Sequence, residues 1–285
     1  MNRYPVLDRV NSPQDVKSLN RKDLNEFCSE VREFLVEHVS KTGGHLASNL
    51  GVVELTTALH RVFDTPWDSI IWDVGHQCYT HKIITGRKDR FDTLRQPEGL
   101  SGFPKPDESP HDAFVAGHSS TSISAAYAIS RANQMRGSNS HAIAVIGDGA
   151  FTGGMAYEAL NNAGRSRSNL IIVLNHNAMS ISRNVGAFAR YLSAIRLQPG
   201  YLRLKGHTET VLDHIPLVGK PVKKVVQGSK AALKNVLYHS TFFEEMGFTY
   251  IGPVDGHDLK ALEKAFTQAK LLGRPVFVHV ETVKG

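Results

Sequence analysis

Two hydrophobic periods alternate along the chain, and their order predicts the architecture. Leu24, Phe27, Val31, Phe34 and Leu35 are spaced for one face of a helix, as are Val52, Leu55, Leu59 and Val62, so two amphipathic helices precede residue 65. Between them, "SKTGGHLASNLG" is a polar, glycine-bearing loop. "SIIWDVGH" predicts a short buried strand ending in a turn, and residues 96–118, rich in Pro, Gly and Ser, predict an ordered loop across the domain. A Ser- and Ala-rich helix is expected over 119–132, with a backbone that a neighbour can approach closely.

"HAIAVIGD", a helix from about Gly153 and "NLIIVLNHN" come next, and the unbroken apolar run 170–174 is the mark of a strand buried on both faces. Residues 183–228 are weakly patterned and predict an irregular, mobile excursion. A helix near 229–246, a strand at "FTYIG", a helix over 258–272 and a strand at "PVFVHVET" complete the alternation. The expectation is one α/β domain over 1–285, with a doubly wound, mainly parallel sheet and helices on both faces. In such folds ligands bind beyond the carboxyl ends of the strands.

Composition narrows the classes. A chain of 285 residues, 41% hydrophobic, has ample material for a core. There is no N-terminal targeting pattern and no apolar run near the ~20 residues that span a bilayer, so a soluble, cytoplasmic protein without a membrane partner is expected. Cys28 and Cys78 lack the close spacing of a metal site and read as reduced structural thiols. The net charge of +6 is spread out, and its densest clusters, 82–90 and 220–234, hold no interleaved aromatics. That argues against nucleic acid and for a solvated surface, biased at most toward phosphate-bearing small molecules.

The candidate chemistry begins in "VIGDGAFTGG", where Asp148 stands between two glycines at a strand-to-helix turn. Magnesium takes oxygen ligands, usually one or two from protein together with phosphate oxygens. Asn177 follows 29 residues later at the end of the next strand, and a βαβ crossover of ~30 residues delivers both side chains to one sheet edge. Gly147 and Gly149 let backbone approach a diphosphate, and the helix starting near Gly153 points amide hydrogens at it. A lone Gly-Asp-Gly is common in turns; the correctly spaced asparagine is what favours a metal site. Independently, five of the 14 histidines directly follow glycine (His45, His76, His118, His207 and His257), where about one would by chance. Structural histidines are the ordinary reading of any one of them. His45, His76 and His118 lie beside predicted helix starts and are the better ligand candidates, and His118-Ser119-Ser120 adds hydroxyls and amides suited to phosphate.

The segments "SKTGGHLASNLGVVELTTALH", "IIWDVGHQCYTHKIITGRKDRFDTLRQ", "GLSGFPK", "AGHSSTSISAAYAIS", "GDGAFTGGMAYEALNNAG", "LNHNAMSIS" and "GFTYIGPVDGHD" together resemble the 1-deoxy-D-xylulose-5-phosphate synthases, thiamine-diphosphate enzymes of the transketolase superfamily. The likeness runs in order over nearly the whole chain. It implies Mg²⁺ bound by Asp148, Asn177 and the carbonyl of Met179. It also implies thiamine diphosphate contacted by His76, His118, Ser119, Ser120, Gly149, Ala150 and Asn177, with His45 close to the reacting substrate. The implied reaction joins pyruvate to glyceraldehyde 3-phosphate with loss of CO₂, in isoprenoid and thiamine precursor synthesis, with the cofactor as electron sink. Glu158 matches a helix residue and reads as structural.

Two departures bear on this. The family usually carries Asn-Asp-Asn where this chain has Asn175-His176-Asn177, so a carboxylate near the cation is replaced by an imidazole. The sequence also stops at "ETVKG", where the family continues into pyrimidine-binding and C-terminal domains that carry the glutamate protonating the cofactor's aminopyrimidine and the residues gripping substrate phosphate. Three readings follow. The first is the diphosphate-binding part of a synthase, inactive alone and completed by a separate pyrimidine-domain chain, with a homodimer or such a heteromer as the expected assembly. The second is a non-catalytic paralogue that binds the cofactor or pairs with a full-length synthase. The third is a basic module unrelated to thiamine. An exposed apolar surface is expected where the second domain would dock.

Overall fold

The structure, a computed structural model, describes residues 3–177 and 242–285. Five parallel strands, β1 (Ser69–Trp72), β2 (Ala142–Gly147), β3 (Leu170–His176), β4 (Thr249–Asp255) and β5 (Val276–Glu281), form one sheet in the order β1-β2-β3-β5-β4. Their Val/Ile-rich runs are buried because both faces are covered. Ile70, Trp72, Ile143, Val145, Ile171, Val173, Val276 and Val278 pack against the helices α1 (Arg21–Thr42), α2 (Val53–Val62) and α5 (Leu259–Leu271). Ile71, Ala144, Ile146, Ile172, Leu174 and Phe277 face the opposite core with α3 (Ser122–Met135) and α4 (Gly154–Ala163). Each fully buried Val or Ile contributes about 1.5–3 kcal/mol relative to exposure.

The winding reverses once. From β1 to β2 to β3 the chain moves across the sheet through α3 and α4 on one face; from β4 back to β5 it returns through α5 on the other. Right-handed crossovers require that exchange of faces when the direction of travel changes. The change-over lies between β3 and β5, and the crevice at such a point is where open α/β sheets bind ligands.

Several elements differ in detail from their sequence signals. The loop between α1 and α2 contains a five-residue helix, Leu46–Leu50. The Ser/Ala-rich helix α3 starts at Ser122 rather than at 119, because Ser120 takes a positive φ of 68° that no helix admits. A one-turn helix, Asp148–Phe151, precedes α4. Residues 96–118 form an irregular crossing segment, as expected. The excursion at 183–228, the start of the helix expected from 229, Met179 and His207 lie outside the described residues. Cys28 and Cys78 are free and buried, and burial pushes both thiols up to about 12.

A candidate ligand site at the carboxyl edge of the sheet

Asp148 begins the turn that leaves β2. Its side chain is 3% exposed, and the Gly149 amide donates to its Oδ1 at 2.9 Å. Phe151, one turn on, is fully buried with its ring 5.6 Å from that of Phe277 and 6.1 Å from that of Phe243, so apolar packing pins the turn from below. The ladder pairs Gly147 with Asn175, which brings Asp148 beside the end of β3, where the half-buried Asn177 follows His176. Asp148 and Asn177 therefore leave neighbouring strand ends at one edge.

A carboxylate at the end of β1 organises the adjoining loop. Asp73, 1% exposed, accepts the amides of Ser120 (2.8 Å) and Ser122 (3.0 Å), which caps α3 from outside its own sequence. The Ser120 hydroxyl donates to the carbonyl of Ala150 at 2.6 Å, tying the His118-Ser119-Ser120 loop to the Asp148 turn. A methyl on Gly153 would overlap that hydroxyl, so glycine is needed there for close approach. His118 and Ser119 are exposed at the rim.

Asn49 organises the third corner. Fully buried, it donates from Nδ2 to the carbonyls of both His45 and His76, each at 2.8 Å, and accepts the Tyr79 amide at 2.9 Å. One amide thus ties the His45 turn to a loop carbonyl 27 residues after Asn49 itself, and the two imidazoles meet edge to face, 5.1 Å between centroids. Burial, then the neighbouring His45, lowers the His76 pKa to about 4; burial and the Arg95 charge lower that of the exposed His45. Both rings are neutral at pH 7. The Nδ1 of His76 is buried and has no hydrogen-bond partner among the described residues.

Between these corners, Asn175 donates to Gln77 Oε1 at 3.2 Å and accepts the Thr282 hydroxyl at 2.6 Å, joining the ends of β1, β3 and β5. On the opposite face of β3, His176 Nε2 stands 3.9 Å from Asp148 Oδ2, and its Nδ1 is 3.2 Å from His279 Nε2. The His176 imidazole therefore turns away from Asn175 but toward Asp148.

Among the sequence candidates, His45 and His76 are brought together, and Ser120, Ala150 and Asp148 form one contiguous corner with Gly149. Asp73, Asn49 and Gln77 carry no motif that points to them; their one signal is position, a polar residue in the loops that also hold His45 and His76. His257, passed over above, fastens the chain's last residues: its Nε2 accepts the Val283 amide (2.9 Å), so Nδ1 donates to Glu54 (3.1 Å). Burial alone would raise the Glu54 carboxyl, but the bonds from His257 and Arg32 and the Arg32 charge hold it down at about 2. A second buried network was also invisible: Asp112 accepts from His81 Nε2 at 2.9 Å and from Arg87, and His81 Nδ1 in turn accepts from His60 Nε2 at 2.9 Å.

Among the described residues, no helix is long and apolar enough to cross a membrane. Comparison with known proteins places this geometry. The structure resembles the transketolase of Campylobacter jejuni (TM-score 0.63, 20% identity, 93% of this chain and 38% of that one) and that of Leishmania mexicana (TM-score 0.57, 19% identity, 96% and 37%), likenesses that concern the fold. In sequence the chain is 56% identical over 280 residues to a 1-deoxy-D-xylulose-5-phosphate synthase of Caldanaerobacter subterraneus subsp. tengcongensis, covering 98% of this chain and 45% of that protein. It is 54% identical to one from Desulfitobacterium hafniense, of which it covers 44%. The chain thus spans somewhat less than half the length of these relatives. A family profile described as 1-deoxy-D-xylulose-5-phosphate synthase matches residues 7–282. With that match running through every corner of the sheet edge, the chain belongs to the 1-deoxy-D-xylulose-5-phosphate synthase family.

Proposed function

We propose that these residues are the diphosphate- and Mg²⁺-binding part of a 1-deoxy-D-xylulose-5-phosphate synthase, a transferase joining pyruvate to glyceraldehyde 3-phosphate. The observation that carries the reading is the corner where Asp148, the Ser120–Ala150 contact and the end of β3 meet. The residues present fit the cofactor. A nearly buried carboxylate and a neighbouring amide oxygen suit a hard cation; the Met179 carbonyl, outside the described residues, is the third ligand of the proposal. Around Gly147, Gly154 and Gly117 a side chain would meet nothing within 4 Å, which leaves room for a diphosphate against bare backbone. The orphaned His76 Nδ1 is a polar atom that calls for a partner.

On this reading Asp148 and Asn177 hold Mg²⁺, and the metal and the amides of Gly149 and Ala150, with His118, Ser119 and Ser120, hold the diphosphate. Thiamine diphosphate, when bound, supplies the electron sink for decarboxylation and carbon–carbon bond formation. Asp73 keeps the Ser120 loop in place, and Asn49 orients His45 and His76 on the substrate side. Their neutral imidazoles can each donate or accept a hydrogen bond near a developing charge without carrying a charge of their own. The pyrimidine-binding half of the synthase lies outside these residues and docks on them. The exposed Phe114, Val115 and Met155, next in sequence to the His118 loop and the Asp148 turn, are apolar surface suited to that contact.

The test is thermal stability with thiamine diphosphate and Mg²⁺. The native chain should be stabilised by the two together, with no shift from the cofactor in chelator, and Asp148→Ala should lose the shift while keeping its own melting temperature within a few degrees. Absence of a Mg²⁺-dependent shift in the native chain would overturn the proposal.

A further inference from the structure

The change-over between β3 and β5 carries a second cluster of ligand atoms, built from other side chains. His176 and Glu281 are direct partners in the β3–β5 ladder, and His279 stands two residues before Glu281 on the same face of β5. The ligand atoms of the three side chains all lie within 4.8 Å of one another. His176 and His279 are buried, and Glu281 is half-buried at the mouth.

The spacing of the imidazoles is informative. His176 Nδ1 and His279 Nε2 are 3.2 Å apart. Two ring nitrogens bound at ~2.05 Å to one tetrahedral ion stand ~3.3 Å from each other, so the pair already has the bite of a chelate. The far nitrogen of His279 is held as metal-binding imidazoles commonly are, by a hydrogen-bond partner that fixes tautomer and orientation. His279 Nδ1 is 2.9 Å from the Tyr250 hydroxyl, and His176 Nε2 faces Asp148 Oδ2 at 3.9 Å.

We propose that His176, His279 and Glu281 bind one divalent transition-metal ion of the zinc class, with the fourth position open to water or to an oxygen of a bound ligand. Two imidazoles and one carboxylate favour such an ion over Mg²⁺, which prefers an octahedron of oxygens. The site uses none of the Mg²⁺ ligands proposed above, and it stands independently of that reading.

The test is titration of the chain with Zn²⁺ alone, in excess Mg²⁺, against a chromophoric zinc chelator, with Co²⁺ absorption as a second readout. One Zn²⁺ should bind per chain, and Co²⁺ should give the intense visible bands of four-coordination. Tyr250→Phe, which removes only a hydroxyl, should weaken Zn²⁺ binding about tenfold or more through His279, an effect adventitious surface histidines would not show. Glu281→Gln and His279→Gln should weaken it further, while Asp148→Ala should keep the stoichiometry at one even as it abolishes any Mg²⁺-dependent cofactor effect. If His279→Gln does not fold, Tyr250→Phe and Glu281→Gln decide. No stoichiometric Zn²⁺, or affinities within twofold of native in the folded variants, would overturn the proposal and leave the two imidazoles as a hydrogen-bonded structural pair.

Discussion

Replacing Asn49 by alanine removes three hydrogen bonds at once: to the carbonyls of His45 and His76 and from the amide of Tyr79. At a net contribution of about 1 kcal/mol each, the loss is about 3 kcal/mol. The Tyr79 amide is left without its acceptor, and an orphaned buried donor costs ~1–3 kcal/mol, which sets an upper range near 5. With a urea m-value of about 3 kcal/mol/M, the midpoint should fall by at least ~1 M, read from circular dichroism and tryptophan fluorescence together. Asn49→Asp keeps the size and the acceptor for Tyr79 but sets an oxygen against two carbonyls, so at pH 7 it should cost as much as alanine. Both variants should also loosen the His45–His76 pair and reduce cofactor-induced stabilisation. A change below 0.5 kcal/mol for Asn49→Ala, the range of an ordinary surface substitution, would refute the role assigned to this side chain.

Gly153→Ala should displace Ser120 and break its bond to Ala150, costing about 1–3 kcal/mol and the Mg²⁺-dependent cofactor shift; a variant with native melting and native shift would show that the two loops need not touch. Stability should also fall with acid. Burial, and then the neighbouring His81, hold the His60 pKa well below its ordinary 6.5, so the unfolded chain takes up a proton that the folded chain refuses. The contribution is complete above pH 6.5 and is lost as pH falls below it, at up to ~1.4 kcal/mol per pH unit for this group. In His60→Gln the pH slope of urea stability between 6.5 and 5 should flatten by up to one proton; an unchanged slope would mean that His60 protonates without unfolding.

What could be read in the sequence was what depends on neighbours along the chain. The runs around Ile71, Val145, Val173 and Val278 announced themselves as strands because burial on both faces leaves no polar alternation, and the 29-residue step from Asp148 to Asn177 measured one crossover. The parallel sheet with helices on both faces followed from these, and the family from the resemblance of the motifs in order along the chain. The rest rests on contacts across long separations. Asp73 caps a helix that starts 49 residues later, which no local capping signal announces. Asn49 in "ASNLG" looks like an ordinary loop residue, and its importance comes from two carbonyls and an amide that the fold brings around it. The reach of His176 toward Asp148 and His279 could not be deduced from the sequence, since alternation on β3 alone pointed only away from the asparagines.

The joining of β1, β3 and β5 through Asn175 has a kinetic meaning. Its two partners lie 98 and 107 positions away in the chain, so neither bond can form until distant segments have docked and the entropy of closing very long loops has been overcome. The contact order predicts that the carboxyl edge assembles late, after the local helices and the β2–α4–β3 unit, so that a chain with mature secondary structure can still lack a mouth. Any ligand that recognises the joined strand ends reports on the completed winding of the sheet, and its binding selects the fully folded chain from its precursors.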